Sequence, residues 1–218
     1  MIKAIFFDFD GVILESAHIK TKAFGQLFAR WPEKVDEIVR YHIRYAGVSR
    51  YVKFRHFYEN IVKLPYSKAI EMDLGKQYSE LVLDEVKKAP FVRGIEAFLE
   101  EYNQKLPLFV VSATPQAELN SIVKIRNLTK YFKKVRGFPP EKVILLKNVM
   151  NEFSLVGGNC VYIGDGQSDM EAAAQVNMPF ILRVTPENAH LKSTLKHTID
   201  DITTLKEVLT EIYGGSHV

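Results

Sequence analysis

The sequence predicts an α/β protein, a three-layer α/β/α sandwich on a parallel sheet, interrupted near its start by a four-helix insert. Apolar runs of strand length at residues 4–7, 106–111, 160–163 and 179–184 alternate with amphipathic helical segments. About eighty residues with helical periodicity and no strand follow the first run, far more than an ordinary connection needs. Polar, chemistry-bearing residues gather where strands end or helices open, the edge at which parallel sheets collect ligands.

The first run, Ala4-Ile5-Phe6-Phe7, has the continuous apolar character of a central strand covered on both faces. It exits into Asp8-Phe9-Asp10-Gly11, and the strand period of two leans both carboxylates the same way. Gly11 permits a sharp turn and a close backbone approach. Such a pair can hold a hard cation and an anion, although two solvated loop acids have the same spelling.

Four apolar stripes mark the insert: Ala23/Phe24/Leu27/Phe28, Val35/Ile38/Val39/Ile43, Phe54/Phe57/Tyr58/Ile61 and Ile70/Leu74/Tyr78/Leu81/Val82. After Pro90 the alternation resumes with a helix at 94–102 and the strand at 106–111, which runs into Ser112-Ala113-Thr114-Pro115. Thr114 and Pro115 read as N-cap and first residue of a helix to about 126. A short strand at 135–137 precedes a helix at 141–151 that carries Lys142 at its start. The strand at 160–163 ends in Gly164-Asp165-Gly166-Gln167-Ser168-Asp169 and a helix at 169–176. There Ser168 and Glu171 form a capping box, and Asp169 suits a helix N-terminus. A last helix is expected at 202–213, and only 214–218 reads as a tail.

With 218 residues, 47% of them hydrophobic, the chain can bury a full core. Its one cysteine, Cys160, excludes an internal disulfide framework. A net charge of +3 gives no reason to expect nucleic acid, and no apolar run approaches membrane-spanning length. The expectation is a cytoplasmic protein, a monomer or weak dimer, with no signal-peptide pattern. Residues 16–90 hold 14 Lys+Arg against 9 Asp+Glu, a balance of +5, and the remainder 15 against 17, or −2. A basic insert over an acidic site favours an anionic ligand, while an ordinary solvated helical surface gives the same sum.

Acid pair, hydroxyl, lysine, acid pair, in that order, resembles the four motifs of the haloacid dehalogenase-like superfamily over almost the whole chain. The resemblance implies a Rossmann-like core of residues 1–15 and 89–218 and a C1-type helical cap of residues 16–88, in the phosphoglycolate phosphatase and β-phosphoglucomutase-like branch. It also implies a Mg²⁺-dependent phosphatase acting on a small phosphorylated metabolite. Asp8 would be the nucleophile, since a carboxylate forms an acyl-phosphate that splits one hard displacement into two. Asp10 would protonate the leaving alkoxide and then deprotonate water, a second acid that dehalogenating members lack. The metal would be held by Asp8, the Asp10 backbone carbonyl and Asp165, with Asp169 helping through water or by holding Lys142. Oxygen ligands point to Mg²⁺ rather than zinc.

Ser112, Ala113, Gly11 and Lys142 would contact the phosphoryl group. Lys147 is the rival lysine, roughly 140° around the helix, and the familiar Lys-Pro spelling is replaced by Pro140-Glu141-Lys142. In the insert, Gly47-Val48-Ser49-Arg50 resembles the cap loop of β-phosphoglucomutase-like enzymes. Arg50 then either addresses the far end of the substrate or lies on a solvated turn. Arg50-x-x-Lys53-Phe54 resembles members associated with capsular or lipopolysaccharide sugars, which suggests a sugar phosphate. His18 and Lys22 either face the cleft or lie on the surface. A phosphomutase is the nearest alternative; a receiver-type phospho-acceptor domain is the remote one, disfavoured by the insert and by an acid pair on a single strand.

Overall fold

The computed structural model describes residues 1–214, so the expected tail lies, apart from Gly214, outside the described residues. Its sheet is wholly parallel, with strand order β3-β2-β1-β4-β5-β6. The strands are β1 (Ala4–Phe7), β2 (Leu108–Pro115), β3 (Lys134–Phe138), β4 (Cys160–Gly164), β5 (Phe180–Arg183) and β6 (Thr198–Ile199). Between β1 and β2 come α1 (Ala17–Leu27), α2 (Pro32–Arg44), α3 (Arg50–His56), α4 (Lys68–Lys88) and α5 (Ile95–Tyr102). The later helices are α6 (Gln116–Ile125), α7 (Lys142–Glu152), α8 (Gln167–Gln175) and α9 (Leu205–Tyr213).

All four residues of β1 are buried, as its apolar run requires, and the strand pairs with β2 on one side and β4 on the other. Its period of two divides the core. Ile5 and Phe7 face a large cluster with Val110, Val161 and Ile163, covered by α5, α6 and α9 and continuous with the insert. Ala4 and Phe6 face a smaller cluster with Phe109, Val111 and Tyr162, covered by Leu145, Leu146 and Val149 of α7 and Ala172 and Ala173 of α8. From β1 the chain steps outward through β2 to β3, then returns to lay β4 on the other side of β1. The crevice beyond the C-terminal ends of β1 and β4 is the switch point of such a sheet.

The insert is helical throughout, as its stripes predict. Phe24 is the hub of its aromatic core, with ring centroids 4.5 Å from His42, 5.5 Å from Phe57, 4.6 Å from Tyr78 and 6.0 Å from Phe54. The third stripe is split: α3 passes into a π-helical turn over Phe57–Val62, which stops at Lys63 in the left-handed conformation. Both connections to the sheet domain are gripped. Arg183 pairs with Glu15 at 2.5 Å, and Arg126 Nη1 donates to the carbonyls of Lys87 at 2.9 Å and Ala89 at 2.6 Å.

Several boundaries differ from expectation. β2 runs on through Ser112–Thr114 to Pro115, with an irregular register against β3, so those residues belong to the strand. Helix α8 begins at Gln167 with Gly166 as N-cap, not at Asp169 with Ser168 as cap, because Asp169 accepts the Gly166 N–H at 3.0 Å. The capping box expected of Ser168 and Glu171 therefore does not form. The two-residue strand β6 carries no sequence signal, and a 3₁₀ turn over Ile202–Thr204 precedes α9. Among the described residues no helix is long and apolar enough to cross a membrane.

Phe24→Ala should lower the unfolding free energy by about 3–5 kcal/mol, the usual cost of emptying an aromatic site in a packed core. Urea unfolding followed by circular dichroism measures it.

Candidate active site

Asp8 leaves β1 at the switch point, 3% exposed. Its Oδ1 accepts the Phe9 N–H at 2.7 Å and its Oδ2 accepts Lys142 Nζ at 2.8 Å. Lys142 is the first residue of α7, which carries it over the sheet edge; Lys147, further along the same helix, is exposed. Lys142 Nζ also donates to Asp169 Oδ1 at 2.5 Å. The Tyr162 hydroxyl lies 2.7 Å from that oxygen and 2.8 Å from the Val111 carbonyl. Asp169 is thus fully engaged and holds Lys142 in place.

Asp165, just beyond β4, brings a carboxylate oxygen within 4.8 Å of oxygens on both Asp8 and Asp169. No hydrogen bond to its carboxylate forms among the described residues, while Asn188 Nδ2 donates to its backbone carbonyl at 2.7 Å. Gly11 makes this proximity possible: φ is +75°, and a Cβ there would overlap the Asp165 carboxylate. Burial, then Asp8 and Asp169, push the Asp165 carboxyl well above the usual range. Burial also raises Asp8, to about 6, against the opposing pull of Lys142. Burial would lower Lys142, but Asp169 and Asp8 outweigh it and hold the ammonium above its ordinary value.

Asp10 takes a different path. Its carboxylate accepts Ser16 Oγ at 2.7 Å, Thr114 Oγ1 at 2.8 Å and the ammonium of Lys20. Lys20 Nζ donates to Thr114 Oγ1 as well, at 2.7 Å. Burial alone would raise Asp10, but Lys20 and the two hydroxyls hold it below the usual carboxylate range. The Asp10 side chain is therefore an ionised, hydrogen-bonded group, not one of the clustered acids. Thr114 is no helix cap: the helix starts two residues later and its hydroxyl serves Asp10. Sequence reasoning missed Lys20, flanked on α1 by the exposed His18 and Lys22. The available signal was the i, i+4 spacing of Ser16 and Lys20 just after the acid pair.

Four aspartates against the two lysines that touch them leave a balance of −2. A divalent cation fits that deficit and the unbonded Asp165 carboxylate, and oxygen ligands suit Mg²⁺. Ser112 and Ala113 line the adjoining cavity with Asp8, Asp10, Arg50 and Lys53. The cavity has a volume of about 70 Å³, room for a small ligand. The Ser112 hydroxyl accepts the Thr114 N–H at 3.2 Å, and the Gly11 N–H is occupied by the Leu14 carbonyl at 2.8 Å.

The loop between α2 and α3 closes the cavity. Gly47, with φ +79°, lies so near the site that a Cβ would strike Ser168 Oγ and stand 3.0 Å from Lys142 Nζ. Ser168 Oγ donates to the Ala46 carbonyl at 3.0 Å, which is where that serine's bonding goes. Arg50 is buried, not on a solvated turn. Its guanidinium forms a fork on Glu118 of α6 at 2.8 and 3.0 Å, reaches Ser79 at 3.0 Å and lies 4.6 Å over the Tyr78 ring. Lys53 also lines the cavity, against His42.

Replacing Lys142 by Met leaves Asp8 and Asp169 facing each other unpaired. In EDTA at neutral pH it should cost about 3–5 kcal/mol of stability by urea unfolding. Lys147→Met, on the exposed face, should stay within about 0.5 kcal/mol of the parent.

The chain matches the haloacid dehalogenase-like hydrolase family over residues 5–183. No curated protein sequence matches it. Among solved structures, β-phosphoglucomutase from Clostridium difficile superposes with a TM-score of 0.78 at 19% identity, covering 99% of both chains. CbbY from Rhodobacter sphaeroides, in complex with phosphate, gives 0.75 at 17% identity over 94% of this chain and 96% of the other. A predicted phosphoglycolate phosphatase from Haemophilus somnus gives 0.73 at 15% identity, over 95% and 98%. At these identities the superpositions establish a shared fold, and the family match carries the assignment: the chain belongs to the haloacid dehalogenase-like hydrolases.

Proposed function

We propose that the protein is a Mg²⁺-dependent phosphatase that hydrolyses a small phosphomonoester through an aspartyl-phosphate on Asp8. The observation that carries this reading is Asp8 itself: a carboxylate at the exit of a buried strand, with Lys142 on one oxygen and an open cavity beyond. In a phosphomonoester the phosphorus is shielded by its own negative oxygens, so attack needs positive donors around them. Lys142 supplies one on Asp8 itself; Ser112 and Ala113 line the cavity with Asp8, and the N-terminal end of α6 follows them. Asp8 and Asp165, with the Asp10 carbonyl and Asp169 nearby, would hold Mg²⁺, which would neutralise charge on the transferring group.

An oxygen of Asp8 attacks phosphorus and the ester oxygen leaves, taking a proton from Asp10. Water then attacks the phosphorus of phospho-Asp8, and Asp10 takes its proton, so that the carboxylate and inorganic phosphate are released. The arrangement around Asp10 suits the second step, since Lys20, Ser16 and Thr114 keep it ionised and ready to accept a proton. For the first step Asp10 must carry a proton, which the Lys20 contact opposes. Lys20 rides on α1, so movement of residues 16–88 as a cap on the core of 1–15 and 89–218 would loosen it.

Arg50 belongs to the proposal as a substrate contact at the far end, with the condition that Glu118 give up a bond to it. The likeness to β-phosphoglucomutase keeps a sugar hydroxyl as the alternative acceptor of the phosphoryl group. Water is the lesser demand on a cavity of this size. The buried, unpaired Cys160 is compatible with a cytoplasmic location.

Over a panel of phosphorylated metabolites, phosphate release should require Mg²⁺ and stop in EDTA. Asp8→Asn should abolish it with an unchanged circular dichroism spectrum; wild-type turnover in that variant would refute the nucleophile. Asp165→Ala should chiefly raise the Mg²⁺ concentration needed for half-maximal rate. Lys142→Ala should lose roughly 10²–10³ in kcat even at saturating Mg²⁺, the usual cost of removing one such donor.

A further inference from the structure

We propose that Lys53, braced by His42, selects the substrate by binding an oxyanion at its non-reacting end. This rests on the phosphatase reading and adds to it the chemistry of the substrate's other half.

Lys53 lies on α3 with 2% of its surface exposed, yet no carboxylate comes within 4.0 Å of its ammonium among the described residues. Lysines are almost never so buried without a partner. The other two cations that line the cavity are matched, Lys20 by Asp10 and Arg50 by Glu118, as is the neighbouring Lys142 by Asp8 and Asp169. Lys53 Nζ has instead the His42 Nδ1 at 2.9 Å and the His42 carbonyl at 3.3 Å. An ammonium has three donors, so one is left over in a side chain that lines the cavity shared with Asp8.

His42 does not cancel the charge. Burial, then Lys53 and Lys20, hold its pKa well below the ordinary imidazole value, so it is neutral and offers Nδ1 as an acceptor. Packed at 4.5 Å against Phe24, the ring is a fixed brace for the lysine. The Lys53 ammonium itself is pushed down to about 7, by burial first and then by Lys20 and Lys142, against the weaker pull of Asp165 and of Glu187, which lines the same cavity without contacting it. An anion arriving beside it would restore the charged form. The cavity is small, so the acidic group must sit a few bonds from the phosphoryl group. A carboxylate or a second phosphate would both serve.

The test is equilibrium binding by calorimetry with MgCl₂, on the Asp8→Asn enzyme, so that no ligand is consumed. The probes are 2-phosphoglycolate (carboxylate), 1,3-propanediol bisphosphate (second phosphate) and ethyl phosphate (neither). The parent should bind at least one of the two acid-ended probes tenfold or more tightly than ethyl phosphate; whichever it is identifies the group. Adding Lys53→Met should erase that preference and leave ethyl phosphate within threefold, while Lys53→Arg should keep part of it. Absence of any preference in the parent overturns the inference without recourse to a variant. So does a preference that survives Lys53→Met, or an equal loss on all three probes. Failure of the phosphatase reading would appear separately, as a wild-type enzyme that releases no phosphate from any of them.

Discussion

Burying a carboxylate at the end of a strand covered on both faces costs several kcal/mol unless a cation and hydrogen bonds compensate it. Lys142 meets that constraint for Asp8 and Asp169 together, from the first turn of a helix whose apolar residues Leu145, Leu146 and Val149 pack on the Phe6 face of the sheet. Three elements must then arrive in register: β1 with Asp8, the first turn of α8 with Asp169, and α7 with the lysine. Tyr162, projecting from β4 under Asp169, and the Gly166 N–H complete the bonding of the acid that holds the lysine. The site is rigid where the charge is densest, as electrostatic catalysis requires.

Contacts from the insert to that rigid platform are mostly polar, although Tyr51 also packs on Phe138 with ring centroids 5.6 Å apart. Lys20 meets Asp10, the Ala46 carbonyl meets Ser168, and Arg50 forks on Glu118. Each such ion pair is worth little net of its desolvation, because opening returns both partners to water. In the proposed role of a moving cap, contacts of this kind would hold the insert in place without locking it, whereas an apolar seam of the same size would resist opening. The apolar continuity between insert and sheet lies behind the site, around Phe9, Ile13 and Leu14, where the connecting segments are themselves pinned.

The strands and the acids at their ends were legible because two strong signals coincided: unbroken apolar runs and charged residues that such runs do not tolerate. Asp8, Asp165, Asp169 and Ser112 stand where that logic placed them along the chain, and the structure brings them to one crevice. Burial of Lys142 and exposure of Lys147 follow from helix phase, which the sequence displayed once the helix start was right. Thr114 and Ser168 have the local spelling of helix caps, but tertiary partners, Asp10 for one and Ala46 for the other, take the hydroxyls instead. The pairing of Arg50 with Glu118 spans 68 positions and that of Lys20 with Thr114 spans 94, distances at which no local pattern carries information.

The charge surplus of the insert shows how a sum differs from a site. Most of its cations, Arg40, Lys63, Lys68 and Lys76 among them, sit on solvated faces, so the bland reading of the +5 balance is correct for most of the segment. What matters is buried, and there the bookkeeping is local. Around Asp8 the fixed charges fall two short of neutrality on the acid side, which a divalent cation would fill. Across the cavity Arg50 is already neutralised, and Lys53 is held by a neutral imidazole. One end of the cavity is therefore short of positive charge, and at the other no carboxylate contacts Lys53, Glu187 acting on it only from beyond ion-pair distance. A phosphomonoester carrying its own metal-binding oxygens at one end and an acid at the other answers both deficits at once.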